Sequence, residues 1–195
     1  VVVDVPKDVQ NWRGTFQGNG VLPIAGYRHR MNRLARNVLT EEQAAAFFEL
    51  LAQAKRPLIY AGGGVIHAGA AQAMREFALE FEIPVVTTLM GLGALDTSHP
   101  LSMRMLGMHG AAFANYAVDD CDFLIALGAR FDDRVAGNPA KFAPRAKHIA
   151  QIDIDVSEIN KVKSVGWYHA GLLNDALKEL RAYGRRASGR PGLSA

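Results

Sequence analysis

The chain has 195 residues, of which 49% are hydrophobic and 21% charged, with a formal net charge of +3. That composition reads as a soluble, intracellular globular domain with a sizeable core; its single cysteine excludes an internal disulfide framework and a cysteine-based zinc site, and apolar runs such as Phe123–Leu127 are too short to span a bilayer. The basic surplus lies in the flanks, +4 over residues 1–40 and +4 over 181–195 against −5 between them, which argues against a nucleic-acid binder, whose basic face belongs on the folded core.

The chain opens on Val1-Val2-Val3-Asp4-Val5-Pro6, which reads as the end of a buried strand and hence as a piece of a longer protein; no basic-then-apolar signal peptide opens it. Residues 7–40, holding the Arg-rich stretch Arg28-His29-Arg30-Met31-Asn32-Arg33, show little periodicity and read as an extended connection. Thr40 and Gln43 form a capping box for a helix whose Ala44, Phe47, Phe48, Leu51 and Ala54 recur at helical spacing before Pro57. Strands and helices then alternate: strand 58–61, helix 70–81, strand 83–87, loop 89–99, helix 111–118, strand 123–127, strand 148–154, a short helix capped by Ser157 through Lys161, and helix 172–183. The tail, 185–195, is small, basic and turn-rich, and reads as a flexible linker. Uniformly apolar strands between amphipathic helices imply an α/β domain with a doubly wound, mostly parallel sheet covered on both faces. Ligands of such sheets sit at the carboxyl ends of the strands, which points to the loops 62–69, 87–98, 105–110, 128–138 and 153–158.

Chemistry-bearing residues gather at those loops. Gly62-Gly63-Gly64 leaves a strand for a helix, so its N–H groups either approach an anion or merely make a tight turn. His67 stands where the dinucleotide fingerprint wants its last glycine, and Thr87-Thr88-Leu89 lacks the acid that holds a nicotinamide ribose. Met108 and His109 sit in Leu106-Gly107-Met108-His109-Gly110, where Met108 suits a flat ring or simple packing. Arg130 and Arg134, beside Asp132 and Asp133, either take a phosphate through a planar fork or brace their loop as ion pairs. Asp153 and Asp155 end a strand and can accept from a ribose or adenine, or favour the following helix by charge. His67, His99 and His169 have no partners at ligand spacing, so no metal site is read, and no nucleophile motif or phosphate-binding Gly-Lys-Ser/Thr loop is present.

Several of these segments, in order, resemble the acetohydroxyacid synthase (acetolactate synthase) family of thiamine-diphosphate enzymes. They are Val2–Gln10, Thr87–Ala94, Gly107–Gly110, Asn115–Val118, Gly128–Val135 and Ile152–Asp155, so that the resemblance covers residues 1–165. It implies the central one of three domains, a Rossmann-like six-stranded sheet that holds FAD in an extended pose and mainly for structural purposes. The whole enzyme of that family decarboxylates pyruvate on thiamine diphosphate and joins the two-carbon unit to a second 2-keto acid, in branched-chain amino-acid synthesis. Residues 1–40 would be the linker from the preceding domain, 41–184 the FAD-binding domain and 185–195 the tail.

Carried over, the resemblance places Gly62, Gly63 and Gly64 at the FAD phosphates and ribose, and Arg30 against the flavin from the linker. Thr88 and Leu89 would line the flavin path, and Leu106, Gly107, Met108, His109 and Gly110 the isoalloxazine region. Gly128, Ala129, Arg130, Phe131, Asp132, Asp133 and Arg134 would hold the pyrophosphate and ribitol, Asp153 and Ile154 the adenosine. Met108, Asp133 and Arg134 would also face the substrate channel. The catalytic residues, thiamine diphosphate and Mg²⁺ belong to the other two domains, so residues 1–195 carry no catalytic residue and no metal ligand of their own. The family further implies a homodimer or homotetramer, a small regulatory subunit as a possible partner, no nucleic acid, no membrane and a cytoplasmic location. Two departures stand out: Gly171-Leu172-Leu173 lacks the acid that follows the family's glycine, and Arg28-His29 replaces a Met-Ser type pair. The competing assignments are another FAD-containing relative, such as glyoxylate carboligase or pyruvate oxidase, and a cofactor-free scaffold domain.

Overall fold

A computed structural model describes residues 4–15, 17 and 26–188 of the chain. The opening strand-like run falls on Val1-Val2-Val3, outside those residues. Within 7–40, where the sequence reads as an extended connection, two helices form, α1 (Lys7–Asn11) and α2 (Tyr27–Arg36). Arg30 lies in α2, and its side chain is outside the described residues.

The domain proper begins at α3 (Glu41–Gln53). Thr40 accepts the N–H of Gln43 at 3.2 Å while the Gln43 side chain accepts the N–H of Thr40 at 3.1 Å, the reciprocal cap the sequence shows. There follow β1 (Pro57–Ala61), α4 (Gly63–His67), α5 (Ala71–Glu80), β2 (Val85–Thr87), β3 (Ser102–Met105), α6 (Ala112–Asp120), β4 (Phe123–Leu127), α7 (Asp133–Ala136), β5 (His148–Asp153), β6 (Trp167–Ala170) and α8 (Leu173–Ser188). The strands form one six-stranded sheet in the order β3-β2-β1-β4-β5-β6, and all its pairs are parallel. This is the doubly wound order, with the reversal between β1 and β4, where Ile59 pairs with Ile125.

Side chains alternate between the two covered faces. On one, Ile59, Ala61, Phe123, Ile125, Leu127, Ala150 and Ile152 pack under α3, α5 and α8. Phe47 is the hub there, with ring centroids 6.0 Å from Phe77, 5.6 Å from Phe123 and 5.1 Å from Trp167. On the other, Leu58, Tyr60, Leu124, Ala126 and Ile149 meet α6, α7, Phe131 and Phe142. At the amino end of the sheet, the Asp122 carboxylate accepts the N–H groups of Lys55 and Arg56, each at 2.9 Å, and its carbonyl accepts that of Lys147 at 2.9 Å. One residue thus ties the starts of β1, β4 and β5.

Four differences from the sequence reading have local causes. The strands β3 and β6 are missed because both are sheet edges with mixed side chains, Ser-Met-Arg-Met and Trp-Tyr-His-Ala, rather than apolar runs. The 89–99 loop begins with a 3₁₀ turn, Leu89–Gly91. The element after β5 is another 3₁₀ turn, Val156–Glu158, and its cap is Asp155 rather than Ser157: Asp155 Oδ1 accepts the Ser157 N–H at 2.9 Å. Finally, α8 runs on to Ser188, into the segment read as a tail, because Arg181 and Arg185 reach across to Glu76 and Glu80 of α5, the Arg185 contacts being 2.5 and 2.7 Å. No helix of the described residues is long and apolar enough to cross a membrane.

Candidate functional site

All the loops singled out in the sequence leave the carboxyl ends of their strands, and the parallel sheet brings them to one edge. At the reversal point, the loops after β1 and β4 interlock. The Gly62 N–H donates to Leu127 O at 2.9 Å and the Gly64 N–H to Gly128 O at 3.1 Å. A Cβ on Gly62 would lie 2.2 Å from Gly128 O, and one on Gly64 2.6 Å from the Gly128 Cα. The first and third glycines are therefore needed for backbone-to-backbone contact between the two loops, and their N–H groups are committed there. The tight-turn reading describes these two; Gly63 sits against Met90 instead.

Beyond Gly128, the β4 loop turns sharply. Phe131 adopts φ +56°, a conformation unfavourable for a bulky residue, and is 1% exposed. Its ring packs 5.4 Å from Tyr60 and 6.0 Å from Phe142. Burying Phe131 turns its neighbours Arg130 and Asp132 outward. Burial and the adjacent Asp132 carboxylate raise the Tyr60 phenol well above its ordinary range, so it stays neutral beneath the loop. Arg130 and Asp132 approach no closer than 3.9 Å with both side chains exposed, a contact that contributes little. No ion pair of Asp133 or Arg134 is found among the described residues. The loop is anchored by an aromatic ring, not by the Arg–Asp network the sequence allowed, and the guanidinium of Arg130 is left accessible.

On the other side, Thr88 caps the 3₁₀ turn by accepting the Gly91 N–H at 3.1 Å, and Leu89 and Met90 are left 67% and 65% exposed. The loop after β3 buries Leu106 and Gly107 and exposes Met108 and His109, with Gly110 half-buried. Met108 N–H donates to Arg134 O at 3.3 Å, which joins this loop to the β4 loop. Asn115 of α6 holds the loop's shape: its Oδ1 accepts the Gly107 N–H at 2.8 Å and its Nδ2 donates to Gly107 O at 3.1 Å. The reading from sequence missed Asn115 as a site residue. Its signal was its place in the first turns of a helix that follows a Gly-rich loop, eight residues after Gly107.

At the end of β5, Asp153 is 8% exposed and its Oδ1 accepts the Asp155 N–H at 3.0 Å, while Ile154 is exposed. Burial raises the Asp153 pKa above the ordinary carboxylate value, and the Glu158 and Asp155 charges add to that. The folded state thus holds its proton more tightly than the unfolded chain does, so the ionised carboxylate destabilises the fold as pH rises above the ordinary carboxylate range. Replacing Asp153 by Asn is expected to raise the melting temperature of the ligand-free protein at pH 7 by about 3 °C. Calorimetry at pH 7 and pH 4 checks this, because the gain should shrink at the lower pH.

The carboxyl edge is therefore two-sided: apolar around Leu89, Met90 and Met108, polar around Arg130, Asp132 and Asp153. It is an open shelf, with Leu89, Met90, Met108, Arg130 and Asp132 all exposed along it; two concavities, of about 400 and 490 Å³, are lined by other residues, among them His148 and Lys163 in one and Arg75 and His99 in the other. Such a shelf suits an extended ligand with a flat apolar end and an anionic, hydroxylated end. Among the described residues no group of three or more His, Cys, Asp or Glu is placed to hold a metal ion.

Comparison with known proteins places the chain in a family. The family model described as "Thiamine pyrophosphate enzyme, central domain" matches residues 44–180. The chain is 45% identical over 164 residues to the acetolactate synthase large subunit of Parasynechococcus marenigrum, covering 83% of this chain and 25% of the relative. It is 48% identical over 165 residues to that of Corynebacterium glutamicum, covering 85% and 25%. It is 46% identical over 164 residues to the probable chloroplastic acetolactate synthase 2 of Oryza sativa subsp. japonica, covering 84% and 24%. The chain thus spans about a quarter of the length of the curated relatives it matches.

Proposed function

This chain belongs to the thiamine pyrophosphate enzyme central-domain family, and from that premise we propose that it is the FAD-holding middle domain of an acetolactate synthase catalytic chain. The observation that carries the reading is the two-sided shelf at the strand carboxyl ends, which fits a flavin at its apolar half and a pyrophosphate with adenosine at its polar half. Leu89, Met90 and Met108 are free to lie against a ring system. Arg130 offers an accessible, permanently charged fork to the pyrophosphate, and Asp153 offers an acceptor to the adenosine end. Thr88, Leu106–Gly110, Gly128–Arg134 and Ile154 complete the path. Within it, Gly62, Gly64 and Phe131 shape the backbone, and Arg30 of the linker is a further flavin contact in this reading. When bound, FAD supplies no net redox step in this reading and acts as a strut that orders the loops around it.

The complete protein, in the same reading, condenses pyruvate with a second 2-keto acid. Thiamine diphosphate and Mg²⁺ are held by its other domains, with Met108, Asp133 and Arg134 lining the approach to them. It acts as a homodimer or homotetramer in the cytoplasm, with a small regulatory subunit as a further partner. The competing reading is a cofactor-free scaffold, and the observation on its side is that the Gly62 and Gly64 N–H groups are already bonded within the protein.

Flavin titration of the complete protein, with NAD as control, separates the two. Saturable binding of FAD alone supports the flavin domain; a folded protein that binds neither supports the scaffold. Arg130→Ala should then raise the FAD dissociation constant about tenfold, the value of one charge-assisted hydrogen bond. Unchanged retention of FAD at low flavin would remove Arg130 from the site.

A further inference from the structure

Gln151 is, among the described residues, the most deeply buried of the four buried polar residues of the sheet, the others being Thr87, Asp153 and His169. It lies mid-strand in β5, shares its face with Ile149 and Asp153, and is 0% exposed. Its Nε2 donates to Ala129 O at 3.2 Å and to Glu158 O at 3.4 Å. Ala129 belongs to the loop after β4, and Glu158 closes the 3₁₀ turn after β5. Among the described residues its Oε1 has no hydrogen-bond partner.

A buried amide with an orphaned oxygen is costly, and an apolar residue of similar volume would avoid that cost. Gln is therefore an expensive way to fill this position, and what distinguishes it from a filler is the pair of N–H bonds. Those bonds join the two loops that flank the polar half of the shelf, one carrying Arg130 and the other following Asp153 and Ile154. The side chain is covered completely, so it touches no ligand and can act only through the two carbonyls it holds.

We infer that Gln151 is a positioning residue: its amide sets the spacing between the Ala129 and Glu158 backbones, and so the separation of Arg130 from Asp153 and Ile154, across which a dinucleotide's pyrophosphate-to-adenosine end is held. This rests on the flavin reading above. The distance between the anion-binding fork and the acceptor is what a dinucleotide measures, and small misplacements of binding groups weaken affinity steeply.

The test is Gln151→Met in the complete protein, which keeps the volume and removes both donors together with the orphaned acceptor. Two readouts are taken: the FAD dissociation constant from flavin fluorescence, and the melting temperature of flavin-free protein. The inference predicts a dissociation constant raised roughly tenfold with a flavin-free melting temperature within about 3 °C of the parent's. An unchanged dissociation constant overturns it. A weakened affinity accompanied by a comparable loss of flavin-free stability also overturns it, since Gln151 would then be part of the core and nothing more. Gln151→Asn, which keeps the amide on a shorter stem, provides a second variant should the Met protein not fold, and must weaken FAD without lowering the flavin-free melting temperature. If the parent protein itself binds no FAD, the flavin reading fails rather than the assignment of Gln151. NADH, titrated into parent and variant, then decides the assignment of Gln151: a roughly tenfold weaker binding by the variant supports the spacing, and unchanged or absent binding overturns it.

Discussion

Gly62→Ala is expected to destabilise the domain by about 3 kcal/mol, the upper range of overpacking costs, and to abolish flavin binding with it. The added methyl would meet Gly128 O at 2.2 Å, the Ala129 Cα at 2.8 Å and the Ala129 Cβ at 2.9 Å, and none of these is the end of a flexible side chain. Relief requires the β1 and β4 loops to part, which breaks the Gly62 N–H bond to Leu127 O and moves Arg130. The usual gain from Gly→Ala, about 0.4–1 kcal/mol from a less flexible unfolded chain, acts in the opposite direction and is too small to rescue it. Gly166→Ala is the control: nothing lies within 4 Å of its Cβ, and its stability should match or exceed the parent's. Urea unfolding of the two variants checks both signs. A Gly62→Ala protein within about 0.5 kcal/mol of the parent would show that the loops are not held by this contact.

The second large effect belongs to Phe131. Truncation to Ala removes a fully buried ring from its contacts with Tyr60 and Phe142 and should cost about 3–5 kcal/mol. The backbone supplies a sharper check. At φ +56°, an Ala keeps the strain of the left-handed region, about 1–2 kcal/mol, whereas a Gly does not. Phe131→Gly loses the same ring but should melt no lower than Phe131→Ala, although Gly normally lowers stability relative to Ala. The reverse order would mean that the turn relaxes on losing its anchor. In either variant Arg130 loses the support that directs it outward, and FAD affinity should fall more than in Arg130→Ala, where the loop itself stays in place.

What could be read from the sequence was whatever advertises itself locally. The Thr40 cap, the apolar face of α3 and the all-apolar β4 were legible because each is specified by residues adjacent in the chain. The edge strands β3 and β6 were not, because an edge needs only one partner and tolerates Arg104, Tyr168 and His169. The same division holds in the site. The position of the loops at the carboxyl ends of the strands was legible, because it follows from a parallel sheet alone. Whether Gly64 faces a ligand or Gly128, and whether Phe131 or the Arg–Asp pairs anchor the β4 loop, depended on residues more than 60 positions apart, as Gly64 and Gly128 are. Asn115 and Gln151 bond to backbone atoms alone; Asn115 had only its place early in a helix as a signal, and Gln151 had none.

The pairing of β1 with β4 also has a consequence for how the chain reaches this state. Pro57 and Phe123 are in register although 66 residues separate them, whereas β1 and β2 pair through a much shorter βαβ unit, Ile59 with Val85. Closing the longer loop costs more chain entropy, and contacts of that separation slow folding. The two halves of the sheet therefore gain structure before the seam between them does, and the shelf, which straddles the seam, is completed last. A molecule that lies across both halves has nothing to hold until then. It would leave the refolding rate almost unchanged and act instead as a clasp on the finished domain, slowing its unfolding.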